Sequence, residues 1–459
     1  MFFKPQPVHF TGIGGIGMSG LAEVLLEMGY RVSGSDLKLS PVTERLTRLG
    51  AVIQQGHAAE NVKGVNALVV TSAARSDNPE IVEARRRGIP VIPRGELLAE
   101  LMRLKFGIAV GGSHGKTTTT SMVASILTHA GLDPTVVVGG LSATMRGSNA
   151  RIGKSEYLVV ESDESDGSFL KLAPILAVVT NIDREHLDHY ADLNQILAAF
   201  IEFVNKVPFY GAAILCIDDE NVQRILPSVK RRFVTYGSNA QADLRISHAS
   251  PGHLASEFQL IRGSQDLGTF RLSVPGAHNI SNATAAAAIA LELDVPVEAI
   301  REGLAQFSGV DRRFQIKGTE NGITVIDDYG HHPTEVRATL DAARACKYGK
   351  VHVLFQPHRY TRTQALMDEF ARAFHQADSV YIVDIYAASE TPIEGVASPA
   401  LVERLETFGH RGAHYAGSMN EGIAAISAAA QPGDAIITLG AGNVSQAAGA
   451  ILDQLRSSR

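Results

Sequence analysis

From Phe106 to Thr120 the chain reads FGIAVGGSHGKTTTT, an apolar run, a glycine-rich turn, and a Lys-Thr pair that opens a threonine-rich helix. A buried strand that passes through glycines straight into a helix is the unit of a parallel α/β sheet. The same unit suits a triphosphate. Small residues let backbone N–H groups approach the phosphates, and the helix presents the positive end of its dipole. Lys116 can reach the β- and γ-phosphates, and the Thr117 hydroxyl can take a place on Mg²⁺. The full G-x-x-x-x-G-K-[ST] pattern wants glycine where Val110 stands, so the loop is the shorter Gly112-Ser113-His114-Gly115-Lys116-Thr117-Thr118.

A second glycine cluster lies near the start, VHFTGIGGIGMSG, with Gly12, Gly14 and Gly17 in G-x-G-x-x-G spacing and Asp36 at the end of the following strand. By itself this fits three readings: a dinucleotide site with Asp36 on a ribose, a bare strand–helix turn, or a different diphosphate ligand such as a UDP-sugar. One ATP loop beside one diphosphate loop favours the third.

The 459 residues exceed one ordinary domain, and the 45% apolar and 20% charged content is that of a globular protein with several cores. A formal charge of −6 gives no basic field for nucleic acid. Two cysteines far apart, Cys216 and Cys346, argue against a disulfide framework. With neither a signal-peptide core nor an apolar run of membrane-spanning length, the expectation is a cytoplasmic protein without a membrane span.

Three α/β segments follow one another, each expected on a mainly parallel sheet. Residues 1–105 carry the strands VHFTG, RVSGSD, ALVVTSAA and IPVIP, with helices between them. Residues 106–312 begin at the phosphate loop and continue through YLVVESDES and ILAVVTNID; the short alternating pieces LRISHAS, SEFQLI and GTFRLSV predict an added antiparallel patch. Residues 313–459 hold ITVIDDYG, VHVLFQPH, SVYIVDIY and DAIITLGAGN.

The chemistry-bearing residues cluster where these strands end. Glu161 closes one strand, followed by Asp163, Glu164 and Asp166; carboxylates beside a phosphate loop are natural Mg²⁺ ligands. TNIDREHLD adds Asn181, Asp183, His186 and Asp188. PGAHNISNA supplies His278, Asn279 and Asn282, which serve equally as helix caps or as partners of an adenine edge. VDRRF supplies Arg312 and Arg313, and IDDYGHHPTEV supplies Asp327, Asp328, His331 and His332. FQPHRYTRT places His358, Arg359 and Arg362 after a strand, an arrangement that suits a carboxylate or an exposed basic loop.

In order and spacing these motifs resemble the Mur ligase family over nearly the whole chain. Within it, IGGIGM, SHGKTTTT, ESDESD, PGAHNISNA, DDYGHHPTEV and FQPHRYTRT are similar to members that join L-alanine to UDP-N-acetylmuramate. The resemblance implies a Rossmann-like UDP-sugar domain, a P-loop ATPase-like central domain and a Rossmann-like domain receiving the amino acid. It implies ATP and two Mg²⁺ ions, an acyl-phosphate intermediate, and a monomer or homodimer. Carried over by position, Lys116, Glu161, His186 and Arg313 are catalytic. Thr117, Glu161 and His186 are metal ligands, and Glu161 and His186 share the second ion. Gly112–Thr118, His278, Asn279, Asn282, Arg313 and Asp328 bind ATP. Gly14, Gly15, Ile16 and Gly17 hold the UDP diphosphate, with Asp36 and Ser72 nearby, and His331, His358, Arg359 and Arg362 resemble the amino-acid site. Ser113 stands where threonine is usual. Phe200 occupies the place where some relatives carry a carbamylated lysine, so no carbamate is expected. An NAD-dependent oxidoreductase and the family member that recycles intact tripeptide are the alternatives.

Overall fold

A computed structural model describes residues 5–71, 73–142, 148–186, 189–252 and 254–457. Ser72 and Asp188 of the candidate site lie outside the described residues. The first sheet has the order β3-β2-β1-β4-β5. Its strands are β1 (Val8–Thr11), β2 (Val32–Asp36), β3 (Val52–Gln55), β4 (Ala67–Val70) and β5 (Val91–Pro93), all parallel. Helices α1 (Ile16–Glu27), α2 (Pro41–Arg48), α3 (Pro79–Arg86) and α4 (Arg94–Arg103) connect them. The sequence reading missed β3 because it is a half-polar, mostly exposed edge strand with no apolar run to mark it. The first glycine loop follows β1, where the strand order reverses and such sheets bind ligands.

The second sheet runs β15-β14-β13-β12-β11-β10-β6-β9-β7-β8. Its strands are β6 (Phe106–Gly111), β7 (Thr135–Ser142), β8 (Ser148–Arg151), β9 (Tyr157–Glu161), β10 (Leu176–Val179), β11 (Ala212–Cys216), β12 (Phe233–Gly237), β13 (Leu244–Pro251), β14 (Ser256–Arg262) and β15 (Gln265–Leu272). Helices α5 (Lys116–His129), α6 (Leu193–Asn205), α7 (Glu220–Ile225), α8 (Ala277–Glu292) and α9 (Val297–Ala305) complete this part. β6 lies between β9 and β10 and is parallel to both, so the phosphate loop at its end is flanked by the ends of those two strands. β14 and β15 form a hairpin across two residues, the expected antiparallel addition. Phe200 is fully buried on α6 against Phe169, beside Phe203. Lys206 donates to the Leu170 carbonyl and pairs with Glu202 at 3.1 Å.

The third sheet has the order β16-β17-β21-β18-β19-β20. Its strands are β16 (Gln315–Glu320), β17 (Ile323–Asp328), β18 (Val351–Phe355), β19 (Ser379–Val383), β20 (Ala413–Gly417) and β21 (Ala435–Leu439). Its helices are α10 (Pro333–Ala345), α11 (Tyr360–Ala365), α12 (Met367–Ala371), α13 (Ser398–Thr407), α14 (Met419–Ala429) and α15 (Ala447–Ser457). All neighbours are parallel except β16, which runs against β17 as an edge strand too polar to have been anticipated. α10 starts where His332 and Glu335 form a reciprocal cap, with Pro333 at its first turn.

By packing density the chain forms two compact units. One comprises Met1–Ser247, Gln259–Phe270 and Ser281–Gln306; the other comprises His248–Phe258, Arg271–Ile280 and Phe307–Arg459. In the first unit one apolar core continues from the first sheet into the second, from Phe10, Leu21 and Leu101 to Phe169, Phe203 and Leu215. Both cysteines are buried and unbridged. No helix among the described residues is long and apolar enough to cross a membrane.

Candidate active site

The phosphate loop is shaped by glycines that nothing else can replace. Gly112 has φ +123°, and a Cβ there would lie 2.1 Å from Thr180 Oγ1. Gly115 has φ +82° and caps α5; its Cβ would meet Asn282 Oδ1 at 2.5 Å. The end of β10 clamps the loop from the other side. The His114 N–H donates to Asn181 Oδ1 at 2.8 Å, and the His114 carbonyl accepts from Thr180 Oγ1 at 2.6 Å and Asn181 Nδ2 at 3.1 Å. The Asp183 N–H donates to Ser113 Oγ at 2.8 Å, and His114 Nε2 lies 3.0 Å from Asp183 Oδ2. Asn181 and Asp183, offered by the TNIDREH stretch, hold the loop's shape.

Lys116 Nζ donates to the Gly112 and Ser113 carbonyls at 2.7 and 2.9 Å and pairs with Glu164 at 2.9 Å. Burial pulls its pKa down, but the carboxylates of Glu164, Asp163, Glu185 and Glu161 reverse this and leave it raised. It is therefore a fixed positive charge where the helix dipole already favours an anion. Thr117 Oγ1 donates to Glu161 Oε2 at 2.9 Å, and Glu161 also accepts from the Gly139 N–H at 2.8 Å.

Two further carboxylates stand beside His186, the residue that the resemblance pairs with Glu161 on one ion. The ligand atoms of Glu164, Glu185 and His186 lie within 4.8 Å of one another, and Glu161 is not among them. His186 Nε2 stands 3.4 Å from Glu164 and 3.8 Å from Glu185; burial lowers its pKa, the two carboxylates raise it, and the net shift is upward. Oxygen donors with one imidazole fit a hard divalent cation, as does the Thr117–Glu161 pair. Glu185 escaped the sequence reading, though its place next to His186 in DREH was a usable signal.

In the first glycine loop the Gly14 N–H donates to Asp36 Oδ2 at 2.9 Å, and a Cβ at Gly14 would touch that oxygen at 2.9 Å. Asp36 thus fixes the loop itself. Gly15 caps α1, which Ile16 opens, and supplies no side-chain cap to the free N–H groups of its first turn. Beneath the loop lies a buried polar knot that the sequence did not suggest. Glu80, fully buried, accepts from Thr11 at 2.7 Å, Ser35 at 2.8 Å and Asn61 at 2.7 Å, with His9 at 3.4 Å. Burial pushes its pKa up, yet bonds from His9, Asn61, Thr11 and Ser35 bring it down to about 2.

The second unit carries the remaining candidates. Asp328 is buried and accepts the Phe314 and Gly330 N–H groups, each at 2.7 Å; burial raises its pKa to about 6 against the pull of Arg313 and these bonds. Arg313 pairs with Glu335 at 3.0 Å and lies over the Tyr329 ring at 5.2 Å. His278 is held neutral, its pKa lowered to about 4 by burial and then by Arg313. Asn279 Nδ2 donates to the Pro275 carbonyl at 2.7 Å.

His331, His358, Arg359 and Arg362 come together at the ends of β18 and β19. The His358 ring stacks on Tyr386 at 5.5 Å and 11°, with His331 edge-on at 5.9 Å. Burial, then His331, Arg362 and Arg359, lower its pKa to about 3. Arg362 Nη1 lies 3.2 Å from His358 Nδ1; a guanidinium only donates, so the neutral ring carries its proton on Nε2. Arg359 holds φ +70° while its N–H donates to the Tyr386 carbonyl at 2.8 Å. Glu390 lies 4.0 Å from the Arg359 guanidinium and accepts twice from Thr361, at 3.1 and 2.7 Å. Tyr386 and Glu390 come from an irregular loop whose sequence has no pattern to reveal them.

Family models match three successive stretches of the chain. They are the Mur ligase family catalytic domain at residues 7–106, the Mur ligase middle domain at 110–290, and the Mur ligase glutamate ligase domain at 312–442. The UDP-N-acetylmuramate–L-alanine ligase of Solibacter usitatus is 66% identical over 457 residues, covering 100% of this chain and 97% of that protein. The chain belongs to the Mur ligase family. The protein so named from Acidobacterium capsulatum is 57% identical over 458 residues, covering 100% of this chain and 99% of its own. The crystal structure of the UDP-N-acetylmuramate-alanine ligase of Thermotoga maritima matches with TM-score 0.81 at 30% identity, covering 99% and 100% of the two chains. A murein peptide ligase from Psychrobacter arcticus shares the Mur ligase fold at TM-score 0.70, 24% identity and 98% and 99% coverage.

Proposed function

We propose that this Mur ligase joins the muramate carboxylate of UDP-N-acetylmuramate to L-alanine, using ATP. The observation that carries this reading is the 66% identity, over the full chain, to a protein of that name. The site supports it chemically. A carboxylate is a poor electrophile until it is phosphorylated; its oxygen attacks the γ-phosphorus, ADP leaves, and an acyl phosphate forms. The amine then adds to the carbonyl carbon, and the tetrahedral adduct expels phosphate and loses a proton to give the amide. Lys116, with the N–H groups that open α5, spreads charge on the transferring phosphoryl group. Bound Mg²⁺ would neutralise phosphate charge, and Thr117 with Glu161, and His186 with Glu164 and Glu185, are the residues suited to hold one ion each.

In this reading residues 1–105 bind the UDP-sugar through Gly14–Gly17, residues 106–312 bind ATP, and residues 313–459 receive L-alanine. Arg313 and Asp328 serve the nucleotide from the third segment, with Asn279, Asn282 and His278 toward the adenine. His331, His358, Arg359 and Arg362 take the amino acid, with a guanidinium fork on its carboxylate. An NAD-dependent oxidoreductase leaves the Lys116 loop and the Arg359 cluster without a role.

A panel of radiolabelled amino acids with ATP and UDP-N-acetylmuramate tests the reading. L-alanine should give a labelled UDP-sugar amide with stoichiometric ADP. ADP release indifferent to amino acid, or preferential use of intact tripeptide, would overturn it. Arg359→Lys keeps a charge but loses the fork, and should raise the KM for L-alanine about 10- to 100-fold with the KM for ATP unchanged; steady-state kinetics with each substrate varied checks this.

A further inference from the structure

We infer that Glu390 decides which amino acids the His358–Arg362 site admits: its carboxylate offsets one of two arginines, so an acceptor with a single carboxylate is taken and one with an acidic side chain is turned away. The inference rests on the preceding assignment of His331, His358, Arg359 and Arg362 to the amino acid. Glu390 reaches the site from the irregular loop after β19, and that loop is pinned to the segment after β18. The Tyr386 N–H donates to the Pro357 carbonyl at 2.8 Å, and the Arg359 N–H donates to the Tyr386 carbonyl at 2.8 Å. The chain then turns tightly, with the Glu390 N–H donating to the Ala387 carbonyl at 2.9 Å. Ala388 and Ser389, the central residues of this turn, hold φ +47° and +71°, a conformation that ordinarily asks for Asn-Gly. Two L side chains are kept there against their own preference. The effect is to bring Glu390 back onto Thr361. Its carboxylate accepts the Thr361 N–H at 3.1 Å and the Thr361 hydroxyl at 2.7 Å, one bond on each oxygen.

So held, the carboxylate stands 4.0 Å from the Arg359 guanidinium, too far for a hydrogen bond and close enough to offset its charge. The charge balance of the cluster follows residue by residue. Arg359 and Arg362 supply two fixed positive charges, and the His358 ring, held neutral beside them, adds none. Glu335 is engaged by Arg313 at 3.0 Å and lies 3.4 Å from His331, and Asp384 accepts the Tyr415 hydroxyl at 2.7 Å. Glu390 is thus the carboxylate that acts on the arginines, and it leaves one positive charge in surplus. An amino acid poised for attack has a neutral amine and one α-carboxylate, which cancels that surplus. A second carboxylate on its side chain meets a cation whose charge Glu390 has already offset, and is repelled by Glu390 itself. This is selectivity through a repulsive group placed against the wrong substrate.

L-aspartate and L-asparagine separate charge from size, because their side chains have the same shape. Each is titrated as an inhibitor of L-alanine ligation by full-length wild type and by E390Q, whose amide oxygen can still accept the Thr361 N–H. Wild type should bind L-aspartate about 10-fold or more weaker than L-asparagine. E390Q should gain about 10- to 100-fold in affinity for L-aspartate, with L-asparagine within about three-fold of its wild-type value. E390A serves alone if E390Q does not fold. Equal inhibition of wild type by the two amino acids, or no gain for L-aspartate in the variant, would overturn the proposal. So would an equal gain for both, which would mark Glu390 as a steric part of the loop. Failure of the wild type to ligate L-alanine would instead refute the amino-acid assignment beneath it.

Discussion

Lys116→Ala should lower turnover by about a thousand-fold or more while leaving UDP-sugar affinity within about two-fold of wild type. The lysine ammonium is tied by three contacts of 2.7–3.0 Å to Gly112, Ser113 and Glu164, so it is held in place before any substrate arrives. Its charge is surrounded by four carboxylates, Glu164, Asp163, Glu185 and Glu161. Removing it takes away the cation that meets the developing phosphoryl charge and leaves those carboxylates to repel the triphosphate. Alanine is a good helix former at the start of α5, and the sugar-nucleotide loop lies on another sheet, so the fold and the first substrate's site should survive. Single-turnover ADP release and UDP titration of the same preparation check both halves. Turnover within a few-fold of wild type would remove Lys116, and with it the ATP loop, from the mechanism.

The second large effect is expected at Glu80, far from the chemistry in sequence but under the first glycine loop. Glu80→Gln keeps the shape and removes the charge that Thr11, Ser35, Asn61 and His9 converge on. The amide keeps one acceptor oxygen, but its NH2 meets two of these buried donors, which costs about 2–4 kcal/mol. The pH dependence has a definite sign. Because the folded-state pKa is depressed from 4.5 to about 2, the stabilisation is fully present above pH 4.5 and is lost as pH falls toward 2. That loss is of order 3 kcal/mol. Urea unfolding from pH 7 to pH 2.5 should show wild type losing this increment and Glu80→Gln lacking it. Equal stability of the two proteins at pH 7 would show that the knot contributes nothing.

Much of the architecture was legible because its signals are local. The apolar runs that became β1, β6, β9, β10 and β18 are parallel strands buried on both faces, which need no partner to be recognised. The strands that escaped, β3 and β16, are edges whose half-polar sequences look like loop. Site residues in a contiguous motif, such as Gly112–Thr118 and His358–Arg362, were legible for the same reason. Glu80, Tyr386 and Glu390 were not, because each acts through partners supplied by other segments.

Local residue order dictates where the backbone must turn and where charge accumulates. Gly112 and Gly115 adopt positive φ and leave no space for a Cβ, so that loop is specified residue by residue. Which charge faces which depends instead on how distant strands pack. Coulomb and hydrogen-bond energies depend on contacts near 3 Å, and the order of parallel strands sets those contacts between residues far apart in the chain. That order put β9 and β10 on either side of β6. In consequence Glu161 faces Thr117 while His186 faces Glu164 and Glu185, a division of the acidic cluster that no spacing in the sequence contains.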